Sequence, residues 1–184
     1  MARAALSQVD EAERERDRFA AAVERVPESR YLFNNQALDI LAVAAAMLDG
    51  EIEYRKRNFD GAWAHLRRGI ELDDTLPYDE PWGWMQPTRH AYGALLLEHG
   101  EVESAAAVYA ADLGLDRTLP RACQHPHNVW SLLGYHECLT RLGRRDEAAD
   151  LKPRVDRALA VADVRIESSC FCRMQPPSRH GNHG

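Results

Sequence analysis

A chain of 184 residues that is 45% hydrophobic and 28% charged has the composition of one globular domain with a substantial core. Its net charge of −6 argues against nucleic acid as a partner, because binding to a phosphate backbone requires a basic face. Neither a membrane span nor a signal peptide is predicted, since the sequence has no apolar run of roughly 18 residues and its first residues are charged throughout. We therefore expect a cytoplasmic protein whose four cysteines are reduced thiols rather than a disulfide framework.

The first predicted element is a helix at 6–26, which contains "SQVDEAERERDRFAAAVERVP". Its small residue Ala12 stands where the second helix of a helical hairpin would place one, but no partner helix precedes it. Two interpretations are open. Either the chain is the C-terminal piece of a longer repeat array or packs on another partner, or this helix simply caps the domain.

Six further helices are predicted, and they group in pairs. They cover about 34–56 and 60–72, 87–99 and 102–113, and 127–142 and 145–163, the last interrupted or restarted at Pro153. Apolar residues recur at helical spacing along one face of the helix at 34–56, namely Leu38, Leu41, Ala45 and Leu48. Residues 164–173 are expected to be extended, and 174–184 has the composition of a disordered tail. The sequence thus predicts an all-α fold with one domain at 1–173.

The three helix pairs share a period of 43 residues. The alanines Ala62, Ala105 and Ala148 are spaced by 43 and again by 43, and Gly50 and Gly93 keep the same spacing. Self-similarity at a fixed period is the signature of repeat architectures, so we expect each pair to be one structural unit.

The third pair contains "WSLLG" at 130–134, two residues out of phase with the earlier glycines. This W-x-x-L-G pattern, followed by a turn that starts with glycine and then by an alanine, resembles the tetratricopeptide repeat. The resemblance implies an all-α, tetratricopeptide-type solenoid of helical hairpins, with repeats at about 34–72, 87–113 and 127–163. These repeats exceed the usual length of about 34 residues, and the excess falls in two inserts between hairpins, at 73–86 and 114–127.

Longer stretches extend the resemblance from about residue 30 to 173. They are similar to the C-terminal region of largely uncharacterised microbial and fungal tetratricopeptide proteins: "LPYDEPWGWMQPTRHAYGALLLEHG", "CQHPHNVWSLLGYHECLTRLGR" and "ALAVADVRIESSCFCR". The repeat family implies binding of a peptide or partner protein along a concave surface. On this chain that surface would include Glu51, Tyr54, Arg55, His90, Glu98, Asn128 and Tyr135.

The first insert overlaps the stretch "PYDEPWGWMQPTRH" at 77–90. Its composition is unusual for a connecting loop. Trp82 and Trp84 stand close in sequence to Glu80, Arg89 and His90. Rigid aromatic residues beside a few convergent charges are typical of a ligand pocket. The other interpretation is structural: the tryptophans fill the seam between two hairpins, and Glu80 pairs with Arg89.

Histidines and cysteines in the second half of the chain form another candidate site. Imidazole and thiolate groups bind zinc and copper, so the candidate metal ligands are His90, His125, His136, Cys170 and Cys172. Stacked hairpins would bring His90 close to His125, and alternation along an extended segment would put Cys170 and Cys172 on one face. Each residue also has a structural interpretation, as a packed histidine or a small buried cysteine. Nothing in the spacing supports a Cys–His nucleophile set.

The sequence therefore favours a binding module that recognises a peptide, a protein or a small ligand in its concave groove and inter-repeat loops. The candidate binding residues are Glu51, Tyr54, Arg55, Glu80, Trp82, Trp84, Arg89, His90 and Asn128. The alternative is a zinc- or copper-binding protein, or a metal-dependent enzyme, that uses the histidines and cysteines named above. Neither interpretation includes nucleic acid or a membrane as a partner.

Overall fold

The computed structural model describes residues 1–173, and the predicted tail at 174–184 lies outside the described residues. The described chain is mostly helical, as predicted, and the helices are α1 (Ala2–Ala5), α2 (Val9–Val23), α3 (Ala37–Arg55), α4 (Phe59–Asp74), α5 (Thr88–His99), α6 (Val102–Asp112), α7 (Val129–Arg141) and α8 (Arg145–Ala160). A single 3₁₀ turn lies at Arg121–Cys123, and an antiparallel hairpin of β1 (Tyr31–Leu32) and β2 (Asn35–Gln36) precedes α3. None of the described helices is long and apolar enough to cross a membrane.

Consecutive helices pair as three hairpins, α3 with α4, α5 with α6, and α7 with α8. The turns inside these pairs are short, which places the paired helices antiparallel. One position in each turn has a left-handed backbone: φ is 66° at Arg57, 98° at Gly100 and 71° at Gly143. A left-handed residue is a common way to end a helix. These three residues are 43 apart, so the period seen in the sequence is also a period of the structure.

Close approach of the two helices in a hairpin depends on glycine. A Cβ atom added to Gly50 would lie 2.6 Å from Cγ of Leu66, and one added to Gly93 would lie 2.6 Å from Cζ of Tyr109. Leu66 and Tyr109 are themselves 43 residues apart. Equivalent glycines therefore receive equivalent large side chains from the second helix of the pair. The repeated alanines Ala62, Ala105 and Ala148 are buried.

Tyr109 on α6 lies at the centre of the core and is fully buried. Its ring contacts Gly93 on α5 and also Gly134 on α7, where an added Cβ would lie 2.4 Å from the Tyr109 ring. The Tyr109 hydroxyl donates to Oγ of Ser169 at 2.5 Å. One side chain thus joins two hairpins and the C-terminal segment (residues 161–173).

The hairpin of β1 and β2 holds the α4–α5 loop (residues 75–87) in place. The Asp79 carboxylate accepts from the backbone N–H of Asn34 at 3.0 Å and from Nδ2 of Asn35 at 3.2 Å. Nδ2 of Asn35, which is fully buried, also donates to the carbonyl of Pro77 at 3.1 Å. The predicted start of the helix at 34 was wrong, because Asn34 and Asn35 bind the loop and α3 begins only at Ala37.

Asp79→Ala is expected to loosen the α4–α5 loop without unfolding the hairpins, because the backbone N–H of Asn34 loses its acceptor and Nδ2 of Asn35 keeps only the carbonyl of Pro77. Leaving buried donors without a partner costs about 1–3 kcal/mol, so amides of residues 75–87 should exchange hydrogen roughly tenfold faster or more. Hydrogen-exchange mass spectrometry measures this. Glu80→Ala is the matched control, since Glu80 is exposed and, among residues 1–173, accepts only from Tyr78. Equal exchange in the two variants would contradict the assignment.

Two predictions about the C-terminal part were wrong. Helix α8 continues through Pro153 instead of breaking there. Pro153 has no N–H to donate to the carbonyl of Ala149, one turn earlier. Both residues are exposed, so water can bind that carbonyl instead. Leu151 and Val155 are buried and hold the helix on the core. Residues 164–173 form bends and turns, and this stretch contains no strand.

Candidate functional site

A cavity of about 700 Å³ lies between the first helices of the hairpins. Helix α3 contributes Met47 and Glu51 to its wall, and α5 contributes His90 and Ala91. The start of α7, the α4–α5 loop, the C-terminal segment and residues 1–6 complete it. The cavity is therefore built from elements far apart in the sequence and brought together by the stacking of the hairpins.

Glu51 is the buried charge of this cavity. Its side chain is 2% exposed, and neither carboxylate oxygen has a hydrogen-bond partner among the described residues. Burial raises the pKa of Glu51 to about 7; the positive charges of the Met1 α-amino group and of Arg55 oppose the shift, and Glu98 adds to it. A buried carboxylate without donors is energetically costly, so Glu51 is an unsatisfied polar group in the wall of the cavity.

Glu51→Gln is expected to stabilise the protein at alkaline pH. The folded chain holds the Glu51 proton more tightly than the unfolded chain, so this residue destabilises the fold as the pH rises from 4.5 to about 7. Above that range the penalty is about 3 kcal/mol. Urea denaturation should show a gain of that order for Glu51→Gln at pH 8 and a much smaller gain at pH 5.

The other groups facing Glu51 keep their charges in this variant: the Met1 α-amino group, Arg55 and Glu98, with His90 on the same cavity wall. Glu53→Gln is the control on the same helix, because Glu53 already accepts from Lys56 and Asn58. It should not stabilise the protein. A loss of stability in Glu51→Gln at pH 8 would show that the carboxylate has a partner.

A buried polar network holds one wall of the cavity. Asp112, the last residue of α6, is fully buried. Its Oδ2 accepts from Nε2 of His90 at 3.1 Å and from Oγ of Ser131, and its Oδ1 accepts from Nδ1 of His125 at 2.8 Å. Burial alone would raise the pKa of Asp112, but the hydrogen bonds from His125 and His90 hold it below its ordinary value.

Asp112 is therefore an ionised carboxylate, which can only accept hydrogen bonds. It follows that Nε2 of His90 and Nδ1 of His125 carry the hydrogens. This arrangement fixes the orientation of the His90 ring, which lines the cavity.

Aromatic rings form much of the remaining wall. The Trp82 ring meets His125 edge to face with centroids 4.7 Å apart, and Trp130 meets Phe171 in the same way at 4.9 Å. Trp84 is half-buried against the core. Trp82 and Trp84 also line a second cavity of about 230 Å³, so the α4–α5 loop separates the two cavities.

The C-terminal segment closes the cavity and is tied to the hairpins by several bonds. Arg173 makes two hydrogen bonds to Glu137, at 2.6 and 2.9 Å, and Arg55 donates to the carbonyl of Cys172. Cys170 and Cys172 form a disulfide bond, so the expectation that all cysteines are reduced thiols was wrong. Their short separation in the turn brings the two sulfurs together, while Cys123 and Cys138 remain free.

The structure brings five of the predicted binding residues together around the cavity: Glu51, Trp82, Trp84, His90 and Asn128. The other four do not line it. Tyr54 packs against Phe59 and Trp63, and Arg55 is paired with Glu98 at 2.6 Å. The predicted pairing of Glu80 with Arg89 was wrong. Arg89 makes two hydrogen bonds to Asp74, at 2.7 and 2.6 Å, and Glu80 accepts from Tyr78.

The predicted metal ligands are only partly brought together. His90 and His125 meet, with ring centroids 6.3 Å apart, but Asp112 lies between them and accepts from both. Cys170 and Cys172 are bonded to each other and so are not thiolates. His136 takes no part in either arrangement. Within residues 1–173, no group of three or more His, Cys, Asp or Glu side chains has the geometry to hold a metal ion.

Several residues of the site gave little or no signal in the sequence. Asp112 ends an ordinary helix. Ser131 lies inside "WSLLG", where the repeat pattern depends on the tryptophan, the second leucine and the glycine. Phe171 lies between the two cysteines in the sequence, and it is 74% exposed at the cavity wall. Comparison of the chain with protein-family models, with curated proteins and with solved structures gives no match.

Proposed function

We propose that the protein is a binding module of tetratricopeptide type that holds a small ligand, or the end of a peptide, in the cavity between its hairpins. The repeat assignment is supported by the left-handed residues Arg57, Gly100 and Gly143 and by the paired contacts of Gly50 and Gly93, all at the 43-residue period. Binding is the activity that a stack of helical hairpins with a concave surface favours.

The observation that carries the proposal is the cavity itself. Its volume of about 700 Å³ lies in the range of small-molecule sites, about 300–1,000 Å³. Such sites are mostly apolar with a few placed polar groups. Here the apolar part comes from tryptophans and methionines, and the polar part from Glu51, His90 and Asn128.

The α4–α5 loop explains why this site differs from an open groove. In a repeat of ordinary length the loop would be short, whereas here it extends across the hairpins and places Trp82 and Trp84 in the cavity wall. Its attachment to Asn34 and Asn35 fixes it before any ligand arrives. A preformed wall lowers the entropy cost of binding.

Filling the cavity tests this proposal. Ala91 on α5 is 8% exposed and lines the cavity, so Ala91→Phe should displace any ligand. A library of small amines, alcohols and acids would be screened by ligand-observed NMR against the native protein, Ala91→Phe and the control Ala21→Phe on the exposed side of α2. We expect binding to the native chain and to the control, and at least tenfold weaker binding to Ala91→Phe.

A rim variant keeps the test valid if Ala91→Phe does not fold. Met85 is 67% exposed and lines the cavity, so Met85→Asp changes the entrance without entering the core. It should weaken binding of apolar ligands several-fold. Absence of any ligand from the native cavity, or equal binding to all variants, would contradict the proposal.

A further inference from the structure

We infer that the ligand of this cavity carries a primary ammonium group on an apolar body, with the ammonium nitrogen at Glu51 and the body against the tryptophans. The inference rests on the proposed function and names the chemical class that the cavity selects. It is carried by the unpartnered carboxylate of Glu51 and by the character of the walls around it.

The hydrogen-bonding capacity of the Glu51 carboxylate is unused among the described residues. A carboxylate accepts at two oxygens with about four lone-pair positions, and none is used by a described residue. The nearest cations do not satisfy it. The two Nη atoms of Arg55 donate to Glu98 and to the carbonyl of Cys172, and its Nε has no partner within residues 1–173 and so does not bond Glu51. The Met1 α-amino group acts on Glu51 through its charge.

A primary ammonium group supplies what is missing. It has three N–H donors on one small centre. A compact donor is what this carboxylate demands, because Glu51 is only 2% exposed. The charge-assisted hydrogen bonds it would form are among the strong ones in proteins. A neutral alcohol has one donor, and a quaternary ammonium has none, so both would leave the carboxylate poorly satisfied.

The cavity walls are aromatic and apolar, which suits an ammonium group attached to an apolar body. Trp82, Trp84, Trp130 and Phe171 all line the cavity, and indole faces attract cations that lie within about 6 Å of the ring centroid. Met47 on α3 adds a polarizable thioether that adapts to an apolar body. The same walls would hold an aryl or alkyl group attached to the ammonium.

The charge around the cavity excludes the opposite ligand class. The cavity-lining residues of the described chain include no lysine or arginine side chain, while Glu51 supplies a carboxylate. An anion would lie next to Glu51, with the positive charges of the Met1 α-amino group and of Arg55, itself paired with Glu98, to offset it. A divalent metal ion would need more ligands than this single carboxylate, and no three-residue group within residues 1–173 offers them.

Calorimetric titration with four matched probes at pH 8 tests the inference: 2-phenylethylammonium, its N-trimethyl derivative, 2-phenylethanol and 3-phenylpropanoate. We expect 2-phenylethylammonium to bind at least tenfold more tightly than each of the others. Glu51→Gln should weaken its binding at least tenfold and leave 2-phenylethanol unchanged, and the control Glu53→Gln should alter neither. Loss of binding in Glu51→Gln cannot reflect unfolding if this variant is as stable as expected.

The outcomes separate this inference from the proposed function. If the alcohol or the carboxylate binds as tightly as the primary amine, or if Glu51→Gln keeps full affinity, the inference is wrong while a ligand-binding cavity stands. If the trimethyl derivative binds as tightly as the primary amine, the inferred hydrogen bonds from a primary ammonium group to Glu51 are wrong. If none of the probes binds, the inference fails, and the library screen with Ala91→Phe decides the proposed function separately.

Discussion

Tyr109→Ala is expected to destabilise the protein by about 3–5 kcal/mol, the cost typical of removing a fully buried aromatic ring. The ring is fully buried and fills the space left by Gly93 and Gly134, so its loss opens a void between two hairpins. Ser169 also loses its hydroxyl partner. Because small domains are stable by only about 5–15 kcal/mol, much of the total stability should disappear. Urea denaturation followed by circular dichroism measures the effect.

Tyr109→Phe is the control for the ring. It keeps the packing between the glycines and removes only the hydrogen bond to Ser169, worth about 1 kcal/mol. The two variants should therefore differ by at least about 2 kcal/mol. Similar losses in both would show that the hydroxyl, rather than the close packing of α5, α6 and α7, accounts for the role of Tyr109.

Asp112→Ala is expected to destabilise the protein by about 3 kcal/mol or more. The change leaves three donors, on His90, His125 and Ser131, without their shared acceptor. Each buried group left unsatisfied costs about 1–3 kcal/mol. The cavity should change too, because the His90 ring that lines it loses its anchor. Thermal and urea unfolding measure the loss of stability.

The pH dependence gives Asp112 an independent signature. Its pKa in the folded protein lies below the ordinary value of 3.8. The stabilisation it provides is therefore complete above that value and is lost as the pH falls below it. Asp112→Ala should flatten this acid limb of the stability curve. The control Asp116→Ala removes an exposed carboxylate in the next loop and should cost no more than about 0.5 kcal/mol; an equal cost for both would contradict the network.

The helical frame could be predicted from the sequence because its determinants are local and repeated. The spacing of Gly50 and Gly93 reflects a contact that recurs in the first two hairpins, and the turn residues Gly100 and Gly143 reflect a conformation that recurs in the second and third. The longer helices were therefore placed to within a few residues, whereas the short α1 was not predicted. Pro153 was misjudged because packing of α8 on the core outweighs the loss of one exposed hydrogen bond.

The polar contacts could not be predicted in the same way, since they join residues that the fold brings together from distant positions. Asp79 binds Asn34 and Asn35, some 45 residues earlier, and nothing in the local pattern marks that pairing. Glu80 was the predicted partner of Arg89, but the carboxylate that binds it is Asp74, at the end of α4.

The cavity was foreseen in part. The composition of the α4–α5 loop indicated that Trp82 and Trp84 have either a structural or a binding role, and the structure places both in the cavity wall, with Trp84 also against the core. Glu51 was named because of its place in a repeat helix, whereas its distinctive property, burial without a partner, follows only from the three-dimensional arrangement.

The most direct test of a ligand cavity centred on Glu51 is a crystal structure of the native chain soaked with 2-phenylethylammonium at pH 8. We expect the ammonium nitrogen to lie within about 3 Å of a Glu51 carboxylate oxygen, with the phenyl ring among Trp82, Trp84 and Trp130. Ligand density outside the cavity, or an ammonium group turned toward solvent with Glu51 still unpaired, would contradict it.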